Sequence, residues 1–332
     1  ICRPDRGVYA LSEHLTPRRG GFSGITVHVM TKNERDYIMK VLNFGSLNLD
    51  YVYSVDHMVT PGETLASYGM NIFCGGKGLN QSIALAKAGV EVYHAGMIGE
   101  EGDVLLATCR EGGVKADYIR KIDGKSGHTI IQVDKNGQNC ILLYGGANQS
   151  ITKEYVDEVL GHFDKGDILL LQNEVNMLDY IIDSAYEKGM MVILNPSPYN
   201  SALDACDFNK ISMFLLNEIE GAQVTGEEET EAILAKLKEI YPNAKVVLTL
   251  GGDGSVYQYK EEQYRQGIFK VNAVDTTAAG DTFTGYFISS IIEGMPVPAG
   301  LELAARASAI AVSREGATAS IPLKNEVLQT EL

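Results

Sequence analysis

The sequence predicts an α/β protein built on a mostly parallel central sheet, with a small second sheet set apart from it. Three observations carry this expectation: internally unbroken apolar runs, helical segments placed between them, and two stretches that lack helices. In chain order, "VLNFGS" (41–46) reads as a buried strand, and 51–74 carries a turn signal at "PGE" but no helical period. "KGLNQSIALAKAG" reads as a helix with Gly89 as its C-cap, "VEVYHAGMIG" as a strand, and roughly 101–112 as a helix. The second helix-free stretch, 117–144, has turn signals at "DGKSG" and "KNG". Then "DILLLQ" (167–172), a helix over roughly 176–188, "MVILNP", "SMFLLN" (212–217) and "KVVLTL" (245–250) follow. Runs of this kind, apolar on both faces, are how strands of a parallel sheet look. The helices "DTFTGYFISSIIEG" and "AGLELAARASAIAVSRE" close the pattern. The strands within 51–74 and 117–144 are expected to lie over the carboxyl ends of the parallel strands, as a lid or as a dimer contact.

Residues 1–38 show neither period; they are expected to be an extension, disordered or non-native, with an assembly arm as the competing reading. The compact pattern is expected over 39–324 and a short tail over 325–332. The net charge of −15, without a polybasic run, argues against nucleic acid or an anionic membrane as partner. A small phosphorylated ligand, which needs only a few local donors, stays open. No window approaches 18 uninterrupted apolar residues. Five scattered cysteines without a CxxC fit reduced thiols in the cytoplasm. Six histidines without HExxH give a zinc site little support.

Four stretches carry candidate chemistry. In "DTTAAGDTFTGYF" (275–287) a loop of small residues ends in Gly280 and Asp281 at a helix start, where bare N–H groups and the helix dipole favour an anion. Asp281 there is a candidate base beside a phosphoryl group; the alternative is a simple N-cap. "CGGKGLNQ" (74–81) leads two glycines into Lys77 and Asn80, or is a plain strand–helix turn; it is neither a Walker A loop nor GxGxxG. "LNEIEG" places Asn217 and Glu220 either as a capping box or as a polar pair beside hydrated Mg²⁺. "TLGGDGSVY" (249–257) is either a glycine turn for close approach of a nucleotide or an ordinary hairpin turn.

Taken together, "GGKGLNQ", "NEIE" and "DTTAAGDTF" resemble, in that order, the motifs of the PfkB, or ribokinase, family of carbohydrate kinases, over about 41–322. The resemblance implies a three-layer ribokinase-like sandwich with a β-sheet lid, and transfer of the ATP γ-phosphate to a small sugar. The opening "GSLNLD" and the "DTTAAGDTF" spelling point within the family to D-ribose, phosphorylated at O5. Carried over residue by residue, Asn48, Asp50, Gly76, Lys77, Gly78, Asn80 and Glu174 would hold the sugar. Asn217, Thr249, Gly251, Gly252, Asp253, Gly254 and Gly280 would border ATP. Asp281 would be the base, and the N–H groups of Ala278, Ala279 and Gly280 the anion hole. Glu220 would hold Mg²⁺ through water. A monovalent cation, usually K⁺, would sit by Asp275, Thr277, Ala311, Arg314, Gly316 and Ser320, mostly on carbonyl groups. A homodimer through the lid sheets is the implied assembly. Two departures stand out: Leu79, expected to reshape the sugar pocket, and Ala305, expected to remove a nucleotide contact. Another sugar or a nucleoside as substrate, stacking on Tyr51, Tyr53, Tyr68 or Phe73, is the first alternative. A non-catalytic sugar-binding regulator would show a damaged Gly-Asp or GG block, and both are intact.

Overall fold

The computed structural model describes residues 39–332, and the expectation for 1–38 lies outside the described residues. From Met39 the chain forms β1 (Val41–Phe44), then leaves it for β2 (Asn48–Ser54) and β3 (Gly69–Gly75). It continues as α1 (Lys77–Lys87), β4 (Val92–Ile98), α2 (Asp103–Glu111), β5 (Lys115–Lys121), β6 (Gly127–Val133) and β7 (Asn139–Tyr144). Next come α3 (Lys153–Leu160), β8 (Ile168–Gln172), α4 (Leu178–Glu187), β9 (Met191–Asn195), β10 (Met213–Asn217), α5 (Glu218–Thr225), α6 (Thr230–Ile240) and β11 (Lys245–Thr249). The hairpin β12 (Ser255–Tyr259) and β13 (Glu262–Gln266) and the helices α7 (Ala279–Ile292), α8 (Val297–Val312) and α9 (Lys324–Gln329) complete it.

Among the described residues the strands form a nine-stranded sheet, ordered β13-β12-β11-β10-β9-β8-β1-β4-β5, and a four-stranded sheet, ordered β3-β2-β6-β7. The large sheet is parallel from β5 to β11, and only the edge hairpin β12–β13 runs antiparallel. A fully buried run such as β1 cannot give its backbone groups to water, so it pairs on both sides, with β4 and β8. Its side chains divide by parity. Leu42 and Phe44 join Leu169, Leu171, Val192, Leu194, Phe214 and residues of α3, α4 and α6 in one core. Val41 joins Ile168, Leu170, Ile193, Leu215 and residues of α1, α2, α7 and α8 in a second core, across the sheet. Helix, sheet and helix therefore stack as three layers.

Two sequence expectations need revision in detail. The small sheet begins at Asn48 rather than 51, and residues 117–121 belong to β5, at the edge of the large sheet. "DGKSG" is not a hairpin turn: it carries the chain from β5 to β6, which pairs parallel with β2. Gly and Ser mark a reversal but not which strands it joins. "KNG" does close a hairpin, between β6 and β7, with the Gly137 N–H donating to Asp134 O at 3.0 Å. The residues expected as a tail include α9, whose Val327 is fully buried. The four described cysteines, Cys74, Cys109, Cys140 and Cys206, are free. No helix among the described residues is long and apolar enough to cross a membrane.

Candidate active site

The strand order reverses at β1. The chain proceeds outward from it through β4 and β5, then returns to β8 and builds in the other direction. Connections that diverge from adjacent parallel strands leave a crevice beyond their carboxyl ends. At this crevice the Ser46 hydroxyl, just past β1, donates to the Glu174 carboxylate, just past β8. The same carboxylate accepts the Lys77 backbone N–H at 2.8 Å. Helix α1 can start this close because of its glycines: Gly76 has φ 94°, and a Cβ on Gly78 would lie 2.3 Å from the Ser46 nitrogen. "GGKG" is thus a strand–helix turn, and that turn delivers Lys77, Asn80 and Gln81 to the crevice.

Helix α7 enters from the opposite side. Ala278 caps it in the left-handed conformation, with φ 60° and no side-chain cap, so Asp281 is not the N-cap but the third helical residue. Its carboxylate is 7% exposed and accepts two amide hydrogens, from Asn80 Nδ2 at 3.0 Å and Gln81 Nε2 at 2.9 Å. Asn80 Oδ1, also buried, has no protein partner. Of the three N–H groups expected to face an anion, that of Ala279 closes a turn on Thr276 O at 3.3 Å, while no such bond engages those of Ala278 and Gly280. A Cβ on Gly280 would meet nothing within 4 Å, so the space over the helix end is open.

Two cavities meet at that end. One of about 240 Å³ is lined by Lys77, Asn195, Asn217, Glu220, Thr284, Asp281 and the 276–280 loop. The other, about 600 Å³, is more apolar and is lined by Gly251, Gly252, Gly254, Phe269, Phe283, Ala305 and Val312, among others. Thr249, Thr276, Ala279 and Gly280 belong to both. Burial opposes the Lys77 ammonium, yet the carboxylates of Asp281, Glu174 and Glu220 around it outweigh that cost and raise its pKa. Asn217 and Glu220 form a true capping box: Asn217 Oδ1 accepts the Glu220 N–H at 2.9 Å and Glu220 Oε2 accepts the Asn217 N–H at 3.1 Å. The cap and the cavity wall are therefore one feature. Asp253 is the member of the glycine turn that lines neither cavity. Ala305 lines the larger one. Leu79 lines neither cavity: it is fully buried among Ile83, Phe283 and Phe287, because α1 turns that residue into the core.

The small sheet contributes from above. On β2, Asn48 Oδ1 accepts Asn148 Nδ2 at 2.7 Å, and Asp50 accepts the Thr129 hydroxyl at 2.5 Å. Burial pushes the Asp50 carboxyl above its ordinary value of 3.8, and the Thr129 bond offsets only part of that. Burial likewise raises Glu174, against Ser46 and Lys77. Neither Asn48 nor Asp50 lines the two cavities. Among the expected cation residues, Asp275 accepts the Thr277 N–H at 2.8 Å and the Gly316 N–H at 3.0 Å, stapling the two loops together. Burial works against the Asp275 carboxylate, and these bonds more than compensate, lowering its pKa. Arg314 turns its guanidinium to Glu326, Ser320 donates to Ala317 O at 2.9 Å, and Ala311 O accepts the Arg314 N–H at 3.1 Å. Sequence reasoning missed Ser46, Gln81, Thr129, Asn148 and Thr276. Gln81 had a signal, since it follows Asn80 on a helix whose start was assigned to the site.

The family model for pfkB family carbohydrate kinase matches residues 39–324. The chain belongs to the PfkB family of carbohydrate kinases. A ribokinase from Staphylococcus aureus (strain COL) is 35% identical over 303 residues, covering 87% of this chain and 99% of that protein. The deoxyribokinase of Salmonella typhimurium is 29% identical over 293 residues, covering 86% and 96%. The structure of Arabidopsis thaliana ribokinase complexed with ribose and ATP aligns with a TM-score of 0.77 at 28% identity, covering 88% of this chain and 98% of that one.

Proposed function

We propose that this PfkB kinase transfers the γ-phosphate of ATP to a small sugar, D-ribose at O5. The observation that carries the reading is the Asp281 carboxylate, aimed by two amide donors into the cavity where the bare end of α7, Lys77 and Glu220 converge. Asp281 orients the sugar's primary hydroxyl and takes its proton late, because a carboxylate is a weak base toward an alcohol. The N–H groups of Ala278 and Gly280, helped by Ala279 and the helix dipole, stabilise charge on the phosphoryl oxygens. Asn48, Asp50, Gly76, Lys77, Gly78, Asn80 and Glu174 bind the sugar. The unpartnered Asn80 Oδ1 is an acceptor for one of its hydroxyls. The nucleotide lies along Asn217, Thr249 and the 251–254 turn, with its base in the larger cavity, where Ala305 leaves extra room.

No group of three or more His, Cys, Asp or Glu among the described residues could hold a metal by itself. A single buried carboxylate in a polar cavity wall fits hydrated Mg²⁺, which takes few protein ligands; Glu220 would hold it through water. Bound there, Mg²⁺ supplies charge neutralisation on the phosphates. The stapled loops of Asp275, Thr277, Ala311, Arg314, Gly316 and Ser320 would hold K⁺ through carbonyl oxygens, keeping the anion hole in shape. The small sheet closes over the sugar and pairs two copies. In its favour, Ile72, Ile130 and Leu142 form one cross-strand row with 54%, 40% and 67% exposure. Tyr68 and Phe73 are exposed too.

The decisive experiment is ADP release over a panel of pentoses, hexoses and nucleosides, with and without K⁺. D-ribose should lead and K⁺ should stimulate. The deoxyribokinase relative makes 2-deoxy-D-ribose the second reading, and the same panel ranks the two. Absence of turnover with every acceptor, alongside tight sugar binding, would replace the kinase by a sugar-binding regulator.

A further inference from the structure

Behind Gln81, one of the two amide donors to Asp281, runs a line of buried polar side chains that no part of the proposed chemistry uses. Gln81 Nε2 donates to Asp281 Oδ1, and Gln81 Oε1 accepts Gln172 Nε2 at 2.6 Å. Gln172 Nε2 also donates to Asn43 Oδ1 at 3.1 Å. Asn43 Nδ2 donates to Ser82 Oγ and to Gly78 O, each at 2.8 Å. Ser82 Oγ meets His94 Nδ1 at 2.8 Å, and His94 Nε2 meets Gly45 O at 3.1 Å. Asn43, His94 and Gln172 stand on the adjacent strands β1, β4 and β8, and each is at most 1% exposed.

The polarity of this line is fixed from its far end. A backbone carbonyl can only accept, so Gly45 O requires the hydrogen of His94 on Nε2, which makes Nδ1 an acceptor. The Ser82 hydroxyl must then donate to the ring and accept from Asn43. Gly78 O independently fixes the Asn43 amide in the same sense. Asn43 Oδ1 therefore faces Gln172 Nε2, and Gln172 spends its second hydrogen on Gln81 Oε1. The Gln81 NH₂ is left pointing at Asp281, with Asn195 Oδ1 a longer second acceptor at 3.5 Å. Burial keeps His94 uncharged, pushing its pKa down to about 4 against the weaker pull of Gly45 O, so the line does not reverse near neutrality. Turning any one amide over would set acceptor against acceptor, with buried groups unsatisfied.

We propose that Gln81, locked through Gln172, Asn43, Ser82 and His94, is a positioning residue that fixes the Asp281 carboxylate toward the sugar hydroxyl. This rests on the reading of Asp281 as the base. Gln172 and Asn80 each leave their amide oxygen unpartnered, but Gln172 Nε2 is held by two acceptors, whereas Asn80, the other donor to Asp281, bonds nothing else through its Nδ2 and so has no such lock. Orientation of the carboxylate thus depends on the Gln81 side.

The test uses Gln81→Met, Gln172→Met, their double variant, Ser82→Ala and Asp281→Asn in the full chain, with kcat, both KM values and thermal melting measured for each. Gln172 touches neither Asp281 nor either cavity. Gln172→Met should nevertheless lower kcat at least fivefold while KM for ATP and for D-ribose stays within twofold. The double variant should fall no further than Gln81→Met alone, because both changes release one amide. Ser82→Ala should act in the same direction by a smaller factor. A folded Gln172→Met with wild-type kcat, or losses that multiply in the double variant, would overturn the proposal. If Gln172→Met does not fold, unchanged kcat in Ser82→Ala overturns it. Asp281→Asn separates the two readings: if it keeps turnover, the base assignment fails. If it is inactive while Gln172→Met is fully active, only the positioning role fails.

Discussion

Replacing Asp281 by Asn removes the proposed base and leaves nearly all of its volume. The environment decides what else changes. The carboxylate accepts from Asn80 on one oxygen and from Gln81 on the other, and an amide can accept on only one side. Asn80 can turn over at little cost, since its Oδ1 has no partner to lose and would accept from the new NH₂. Gln81 cannot, because Gln172 holds its Oε1. The new amide should therefore settle with its oxygen toward Gln81 and its nitrogen toward Asn80. The stability loss is then about 1 kcal/mol or less, the net worth of one hydrogen bond, not the penalty for an orphaned buried group. In a domain of this size that lowers Tm by about 2–4 °C. Loss of a general base costs about 10²–10⁴ in rate, or about 3–5 kcal/mol. Asp281→Asn should thus bind ATP normally, melt within a few degrees of wild type, and retain at most about 1% of kcat. The assay is coupled ADP release at saturating D-ribose, with nucleotide affinity by calorimetry. A kcat within tenfold of wild type would refute the role of Asp281. Collapse of nucleotide binding or a large drop in Tm would refute the account of its surroundings.

The remaining predictions separate binding from folding. Asp50→Asn should raise Tm at neutral pH while raising the sugar KM at least tenfold. Burial raises the folded-state pKa of Asp50, so its ionised form destabilises the fold; that penalty grows as pH rises from about 3.8 through the raised folded value, and Asn removes it. A drop in Tm at pH 7 would contradict this. Gly280→Ala should leave the melting temperature in place, since a Cβ there meets nothing within 4 Å, yet weaken ATP in a nucleotide titration. Lys77→Met should cut kcat/KM about a hundredfold, or about 2.7 kcal/mol, and destabilise the protein at pH 7 by leaving Asp281, Glu174 and Glu220 to repel one another. The destabilisation should shrink as pH falls and Glu174, raised by burial, becomes neutral; equal losses at pH 5 and pH 8 would count against it.

Much of the fold was legible because its signals are local. Runs such as "ILLL" and "VVL" contain nothing that could face water, so they had to be covered on both sides, and the helices between them made the sheet parallel. The small sheet was visible only as missing helical period. Its registration, with β6 parallel to β2 across a crossing from β5, depends on partners about 80 residues away, and turn residues do not encode that. The plain reading of "NEIE" holds: a capping box satisfies the start of α5, and the same box places a carboxylate in the cavity wall. "DTTAAGD" was read correctly as a bare helix start but not as to its cap, since Ala278 takes the left-handed conformation usually left to glycine or asparagine.

The least legible part was the polar interior, and the reason is physical. Asn43, His94 and Gln172 interrupt otherwise apolar strands, and a strand-by-strand reading scores each as a small defect in a hydrophobic pattern. A buried polar group is costly unless paired, so three of them on adjacent strands must share partners. They alternate with apolar residues such as Val41 and Leu170 on the face covered by α1, at the carboxyl ends where that helix brings Gly78, Gln81 and Ser82. The sequence interval between Gln81 and Gln172 is 91 residues, so periodicity could not have joined them. The inference available from sequence was coarser: a polar residue inside an apolar strand is a claim on a partner. In this fold, following those claims leads from the middle of the sheet to Asp281.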